Sequence, residues 1–105
     1  MPNIALTEAV YYILLSLLQP RHGSGIIQNV EALSHGRVRL AAGTLYGAIN
    51  TLLEKNWIRA LPEEKDSRKK EYIITDIGRQ MLSEELARLR ELLENGTRIM
   101  EENEL

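Results

Sequence analysis

The chain has 105 residues, of which 44% are apolar and 27% charged, and its net charge is −2 at pH 7. This length allows one compact unit, and the composition excludes both an intrinsically disordered chain and a membrane protein. The absence of Cys excludes disulfides, thiolate zinc sites and a cysteine nucleophile, and it is compatible with a reducing compartment. The longest apolar run, residues 9–18, is too short to span a bilayer of about 30 Å. We therefore expect a small cytoplasmic domain.

Positive and negative side chains are unevenly distributed along the chain. Residues 1–75 carry nine Lys or Arg against seven Asp or Glu, a net +2, whereas residues 76–105 carry four against eight, a net −4. Such an asymmetry predicts a basic working surface in the first part and an acidic segment with a different role in the second. The overall charge of −2 is therefore a poor guide to the partners of the chain.

Two short helices are predicted at the start of the chain. The first begins after Thr7, whose hydroxyl can cap free backbone N–H groups, and ends before Pro20. Its apolar residues recur with the helical period, which leaves Glu8, Tyr12 and Ser16 toward solvent or a partner. The second helix runs over about residues 24–32 and ends at Ser34-His35-Gly36. Both helices are expected to pack in the core.

A brief strand and a third helix follow. Residues 37–40 alternate polar with apolar side chains, as a strand does. The third helix opens at Ala41-Ala42-Gly43-Thr44 and reaches about Lys55. One side of this helix is apolar, whereas the opposite side is small and polar. We therefore expect the first side to face the core and the second to face outward.

A hairpin and a long helix are predicted for the remainder of the chain. The strands cover residues 58–61 and 71–74, and the polar residues 62–70 between them predict a mobile, charged tip. Thr75 then caps a final helix, which is able to continue past Met100. Asn95-Gly96 weakens this helix by about 1 kcal/mol relative to Ala and predicts fraying or an early end.

The final helix carries a narrow apolar seam with heptad spacing. Its residues are Leu82, Leu86, Leu89, Leu93 and Met100, with Gly96 at the missing position. A leucine stripe on a helix rich in Arg and Glu favours packing against a second subunit, and Tyr12 is a further candidate for that interface. Packing of the seam against the first helix of the same chain is the alternative.

Three helices followed by a hairpin are the element order of a winged helix-turn-helix. The predicted fold is mainly α with a small two- to three-stranded β wing, and residues 1–75 form the DNA-binding domain. Residues 76–105 form a C-terminal dimerisation helix in the same compact unit. In this arrangement the third helix reads base edges in the major groove, while the hairpin tip reaches toward the backbone or the minor groove.

Two sets of residues have the chemistry that DNA binding requires. A helix that reads DNA needs small residues for close approach and polar ones for base edges; the candidates are Ala42, Gly43, Thr44, Tyr46, Gly47, Asn50 and Thr51. Basic side chains can neutralise phosphates; on the wing and its flanks these are Arg37, Arg39, Arg68, Lys69 and Lys70. Each set also has a simpler explanation. Small residues permit tight helix packing, and Glu63, Glu64 and Asp66 can cancel the bases of the wing.

No catalytic residue, metal ligand set or cofactor site is predicted. His22 and His35 are the only histidines, and neither has Asp or Glu at a recognisable ligand spacing. No serine lies in the sequence context of a nucleophile, so no nucleophile and base can be paired. An enzyme is therefore not expected, and His22 is interpreted as a residue that packs or hydrogen-bonds near the second helix.

Four segments of the chain resemble the PadR family of bacterial transcriptional regulators. They are Pro20-Arg21-His22-Gly23, Arg37-Val38-Arg39-Leu40, Gly43-Thr44-Leu45-Tyr46, and Arg68-Lys69-Lys70-Glu71-Tyr72 followed by Thr75-Asp76-Ile77-Gly78. Their order and spacing agree from about Val10 to Leu82. The resemblance implies a homodimeric winged helix-turn-helix repressor whose C-terminal helix forms the dimer contact. It also implies a small phenolic or drug-like ligand that releases the repressor from DNA, and the short C-terminal region resembles the smaller subfamily.

The leading hypothesis is a sequence-specific repressor that binds double-stranded DNA as a homodimer. Its two third helices enter successive major grooves, about 34 Å apart, on a roughly palindromic operator. A small aromatic effector is implied by the resemblance alone, and the last helix contains no aromatic residue to hold one. The alternative is a dimeric protein-interaction module that keeps the winged fold without recognising DNA, which the net acidity and Glu54 on the reading face favour.

Overall fold

A computed structural model describes residues 5–62 and 69–104 of the chain. The described residues form four helices and three short strands in this order: α1 (Glu8–Ser16), β1 (Arg21–His22), α2 (Gly23–Leu33), α3 (Ala42–Glu54), β2 (Ile58–Ala60), β3 (Glu71–Ile74) and α4 (Asp76–Glu102). The predicted class is confirmed, because the fold is mainly helical with a three-stranded wing and a long C-terminal helix. No helix in the described ranges is long and apolar enough to cross a membrane.

Helix α1 begins as its sequence predicts, but Ser16, which was predicted to face outward, is 1% exposed because its hydroxyl is satisfied inside the fold. The Thr7 hydroxyl accepts a hydrogen bond from the Val10 N–H at 3.2 Å and so caps the helix. At the other end, the buried Ser16 hydroxyl donates to the Tyr12 carbonyl oxygen and accepts from the Asn29 side-chain amide, both at 2.8 Å. Because Asn29 lies on α2, this buried polar link fixes the position of α2 against α1.

The turn between α2 and α3 replaces the strand predicted for residues 37–40. His35 and Gly36 both have positive φ, 53° and 81°, and end α2 with a tight turn. The Val38 N–H then donates to the Ser34 hydroxyl at 2.9 Å and makes no strand pairing. The strand prediction was therefore wrong, because alternation over four residues cannot form a strand without a neighbouring edge to pair with.

The third strand of the wing, β1, comes from the segment between the first two helices, for which the sequence predicted no strand. Strand β3 lies at the centre of the sheet, with β1 and β2 antiparallel on either side. Arg21 pairs with Tyr72 in the β1–β3 register, and Ile58 pairs with Ile74 in the β2–β3 register. A strand of two residues is too short to show any periodicity, which explains why it was missed.

One apolar core joins the three helices of the winged unit to the sheet and to the start of α4. Its buried residues are Ile13, Leu14, Leu17, Ile26, Val30, Leu45, Ile49, Leu52, Ile58, Tyr72, Ile74 and Leu82. The rings of Tyr11, Tyr12 and Trp57 pack at its edge. This core holds α3 by a single apolar side and leaves its other side to the surface.

Helix α4 starts on the core and then leaves it. The Thr75 hydroxyl accepts from the Gly78 N–H at 3.1 Å, as the predicted cap requires. Gly78 packs so closely on the Trp57 carbonyl oxygen that a side chain at position 78 has no room. The helix continues through Gly96 to Glu102, so the predicted fraying or early end at Asn95-Gly96 was wrong. A glycine penalty of about 1 kcal/mol is small beside a 27-residue helix rich in Leu, Glu and Arg.

Candidate nucleic-acid interface

Helix α3 presents all seven predicted reading residues to the surface. Leu45, Ile49 and Leu52 are buried on the core side of the helix. The residues on its outer side are exposed: Ala42, Gly43, Thr44, Tyr46, Gly47, Asn50 and Thr51. The 3.6 period of the sequence therefore divided the helix correctly into a core side and a surface side.

The two glycines on the outer side of α3 are not required by packing within the chain. A Cβ atom built on Gly43 or Gly47 meets no atom within 4 Å among the described residues. Both glycines also lack the positive φ that would favour glycine in a turn. The simpler explanation for small residues, tight helix packing, does not apply at these positions. An open surface here does permit a partner to approach the helix backbone closely.

The polar side chains on the outer side of α3 differ in their hydrogen bonds. The Thr51 hydroxyl donates to the Gly47 carbonyl oxygen at 3.2 Å, so it is engaged by its own helix. Thr44 and Asn50 make no side-chain hydrogen bond to any residue in the described ranges. Their amide and hydroxyl groups therefore remain available to a partner, and an Asn side chain can pair with adenine in a major groove.

Tyr46 is directed toward α2 and borders a cleft. A Cβ atom on Gly23, the first residue of α2, would collide with the Tyr46 hydroxyl. The ring is 47% exposed and lies between the start of α2 and the base of the wing. The cleft that it borders has a volume of about 530 Å³ and is lined by His22, Gly23, Ser24, Tyr46, Lys69, Lys70 and Tyr72.

The two arginines that precede α3 are already paired with acidic residues of the same chain. The Arg37 guanidinium pairs with the Glu8 carboxylate of α1, and that hydrogen bond raises the pKa of Arg37. Arg39 Nε lies 3.1 Å from Glu31 Oε1 on α2. Because both arginine side chains are more than two-thirds exposed, these pairs are screened by solvent and can be exchanged for other anions.

The base of the wing carries the remaining basic candidates. Lys69 and Lys70 are exposed and directly precede β3. His22 Nδ1 lies 3.3 Å from the Lys70 carbonyl oxygen, and His22 Nε2 lies 4.0 Å from Glu71 Oε2, so His22 links β1 to β3. Arg68 lies outside the described residues, as do residues 63–67 of the predicted mobile tip with the acids Glu63, Glu64 and Asp66. In the part of the chain that is described, no cluster of His, Asp and Glu could hold a metal ion.

Two parts of the predicted seam on α4 have different surroundings. Leu82 belongs to the core and is 5% exposed, so it packs within its own chain. Leu86, Leu89 and Leu93 are 50%, 39% and 70% exposed, and Met100 is 73% exposed. Further exposed apolar residues on α4, Leu92 and Ile99, were not predicted. Their spacing of seven residues was the signal that could have identified them.

Tyr12 lies at the side of α1. It is half-buried, and its ring packs against Tyr11 edge to face, with a centroid separation of 5.7 Å. Tyr12 also lies close enough to Arg37 to contribute to the raised pKa of that residue. The neighbouring groups of Tyr12 are therefore a ring and an ion pair of the same chain, and one part of the ring remains accessible.

The exposed face of α3 beside a lysine-bearing wing is the geometry of a winged helix-turn-helix. The model of the PadR-like transcriptional regulator family matches residues 13–84, well over half of the chain. This chain belongs to the PadR-like family of transcriptional regulators. The family is one of DNA-binding regulators and is not enzymatic, so both of these predictions are confirmed. No curated protein matches the chain.

Solved structures share the fold of this PadR-like regulator. A PadR-like transcription factor from Bacteroides fragilis is 28% identical with a TM-score of 0.69, and the match covers 87% of each chain. A PadR family regulator from Eggerthella lenta is 23% identical with a TM-score of 0.71, over 90% of this chain and 82% of that one. A third structure is that of BpsR from Bordetella bronchiseptica, whose DNA binding is regulated by 6-hydroxynicotinic acid. It is 18% identical with a TM-score of 0.68, and the match covers 90% of this chain and 67% of that one.

Proposed function

We propose that this PadR-like regulator is a sequence-specific repressor that binds a roughly palindromic operator as a homodimer in the cytoplasm. The observation that carries the proposal is the outer side of α3, where Gly43 and Gly47 lie in open space beside the exposed Asn50. Such a face allows the helix backbone to approach base edges in a major groove. An operator that overlaps a promoter then excludes polymerase when the repressor is bound.

The basic residues are proposed to contact phosphates in two ways. Lys69 and Lys70 are exposed at the base of the wing. Lys70 forms no ion pair with any described residue, so it has no described partner to leave when it approaches the DNA backbone. Arg37 and Arg39 reach phosphates only by leaving Glu8 and Glu31. We assign Arg68 to the same set on its position in the sequence alone.

A second copy of the chain is proposed to cover the exposed apolar residues of α4. Leu86, Leu89 and Leu93 are too large and too numerous on one helix side to be left to water without cost. The net charge of −4 in residues 76–105 makes the same segment a poor surface for DNA. Leu82 holds the start of α4 on the core, and we assign Tyr12 to the edge of the dimer contact.

A small aromatic effector is proposed to relieve repression. The support is BpsR, which has the same fold and whose DNA binding is regulated by 6-hydroxynicotinic acid. The described part of α4 has no aromatic residue, so Tyr12 is the proposed contact for such a ligand. Thermal-shift measurements with phenolic acids and planar cations test this step, and the absence of any shift with both classes would contradict it.

The DNA-binding step is tested by selecting operators from sheared genomic DNA at low salt. We expect the full chain to enrich a few fragments, each with an inverted repeat whose half-sites are about 34 Å apart. Equal and negligible binding to all fragments would contradict a repressor and favour a protein-interaction module. Enriched fragments without an inverted repeat would contradict a symmetric dimer but keep DNA recognition.

A further inference from the structure

The cleft between α2, α3 and the base of the wing has a lining that favours an anion. Two of its seven lining residues are the lysines Lys69 and Lys70, and none of the seven is Asp or Glu. The neighbouring carboxylate of Glu71 is not part of the lining and lies 4.0 Å from His22 Nε2. The described lining therefore offers the cationic Lys70 to an anion without a carboxylate among its members, and its volume of about 530 Å³ exceeds that of a single small ion.

The cleft also offers neutral hydrogen-bond donors. Tyr72 is 7% exposed, and burial raises its pKa, with a smaller contribution from the nearby Tyr46. Tyr72 therefore keeps its phenolic proton at neutral pH. Ser24 and Tyr46 add hydroxyl groups to the lining. Lysine ammonium groups combined with hydroxyl donors are a suitable set for phosphate oxygens, which accept several charge-assisted hydrogen bonds.

The orientation of Tyr46 separates it from the residues that read bases. Its hydroxyl lies against Gly23, so the side chain follows the surface of α3 toward α2. Asn50, one helical turn further along α3, has no such contact. Since α3 faces one groove and the wing reaches toward the next, the DNA strand between the two grooves passes the cleft that Tyr46 borders.

We propose that this cleft binds a phosphate of the DNA backbone, with Tyr46 and Lys70 as donors, so that Tyr46 contributes affinity and not base preference. The proposal rests on the proposed DNA binding and deepens it, because it names the group that the cleft holds. It also changes the role that the sequence predicted for Tyr46, from reading a base edge to positioning the backbone. The absence of a side chain at Gly23 is what gives the Tyr46 hydroxyl its place.

The first test removes only the Tyr46 hydroxyl. Tyr46→Phe keeps the ring and should weaken binding to operator and random duplexes alike by about ten-fold, with their ratio unchanged. Tyr11→Phe makes the same chemical change at the edge of the core and is the matched control, with no loss of affinity expected. Fluorescence anisotropy at fixed ionic strength measures all four affinities. Unchanged binding, or a changed ratio between duplexes, would overturn the proposal.

The second test displaces the hydroxyl without removing it. Gly23→Ala places a Cβ atom where the Tyr46 hydroxyl lies. It should weaken binding to the operator and to the random duplex to a similar extent. Thermal unfolding confirms that the variant is folded. In the double variant Gly23→Ala with Tyr46→Phe, the loss of binding free energy should be smaller than the sum of the two single losses, because both substitutions act on one contact. Full additivity would show that Gly23 and Tyr46 act independently and would contradict the proposed contact.

A third measurement separates a DNA phosphate from a free one. Inorganic phosphate alone, titrated at constant ionic strength, should compete with the duplex only at millimolar concentration or above. Competition at micromolar phosphate would mean that the cleft is a site for a free anion and would overturn the assignment to the DNA backbone. If the wild-type chain binds neither duplex, the proposed function itself fails, which is distinct from wild-type binding that Tyr46→Phe leaves unaltered.

Discussion

Neighbouring basic residues of the interface differ in what already contacts them. Arg37 and Arg39 pair with Glu8 and Glu31, whereas Lys70 forms no ion pair with any described residue. A phosphate must displace a carboxylate to reach either arginine, but it meets no such competitor in the described surroundings of Lys70. The sequence identified these residues as basic and flanking. It could not identify the ion pairs, because these join residues that are distant in the chain.

Replacement of Asn50 or Lys70 by Ala is predicted to change DNA binding in different ways. Lys70→Ala removes one proposed phosphate contact from each subunit of the dimer, so it should weaken binding to all duplexes and reduce the slope of log K against log salt by about 2. Asn50→Ala removes a proposed base contact, so it should change the preference among duplexes by about ten-fold and leave the salt slope unchanged. Competition between operator and random duplexes at several salt concentrations measures both. Identical behaviour of the two variants would contradict the division of roles.

The buried acidic side chain of Glu85 connects the segment before α1 to α4. Glu85 of α4 is buried, and its carboxylate accepts the Leu6 N–H at 3.2 Å and two Arg88 hydrogen bonds at 2.6 and 2.9 Å. The Arg88 hydrogen bonds are the main cause of a lowered pKa at Glu85, with a further contribution from Leu6. This contact holds the segment before α1 against α4.

Acid is predicted to weaken that contact. A carboxylate with a lowered pKa in the folded state stabilises the fold above its unfolded pKa of about 4.3, and this stabilisation is lost as the pH falls through the folded value. Glu85→Gln should therefore lower the unfolding midpoint at pH 7 by roughly 5 °C. The difference in unfolding midpoint between Glu85→Gln and wild type should become smaller as the pH falls from 5 to 3. Glu91→Gln, at an exposed position of α4, is the control. A difference that does not depend on pH would contradict the assigned role of the ion pair.

The helices were predictable because their signals are local, whereas the missed features depend on distant partners. Thr7 and Thr75 identified two helix starts, and both caps are formed. Strand β1 (Arg21–His22) exists only because β3 offers it an edge. Residues 37–40 lack such an edge and form an irregular connection in spite of their alternation. The direction of Tyr46 likewise depends on Gly23, 23 positions earlier in the chain.

The whole molecule has a compact winged unit and a helix that extends beyond it. The Cα atoms extend over 64 Å along the longest axis and 20 Å along the shortest. Beyond Arg88 every described residue of α4 is exposed, although several of them are large and apolar. A lone helix segment of this kind gains little from its own core, so its apolar side is the natural place for a second copy.

Leu89→Arg is predicted to convert the proposed dimer to a monomer. Leu89 lies in the middle of the exposed apolar stripe, and a buried arginine without a partner is strongly unfavourable in an interface. Gln80→Arg adds the same charge at an exposed position of α4 that lies away from the stripe, so the mass should not change. Sedimentation equilibrium measures both variants. An unchanged mass for Leu89→Arg, with wild type dimeric, would place the subunit contact elsewhere.

The salt dependence of operator binding is the sharpest test of sequence-specific DNA recognition by this chain. A dimer that presents lysines from two wings to DNA releases several counterions, so affinity for the selected operator should fall about a hundred-fold or more between 50 and 200 mM salt. At each salt concentration the operator should remain bound more tightly than a random duplex. An affinity that is indifferent to salt, or equal for the two duplexes throughout, would contradict a sequence-specific DNA-binding repressor.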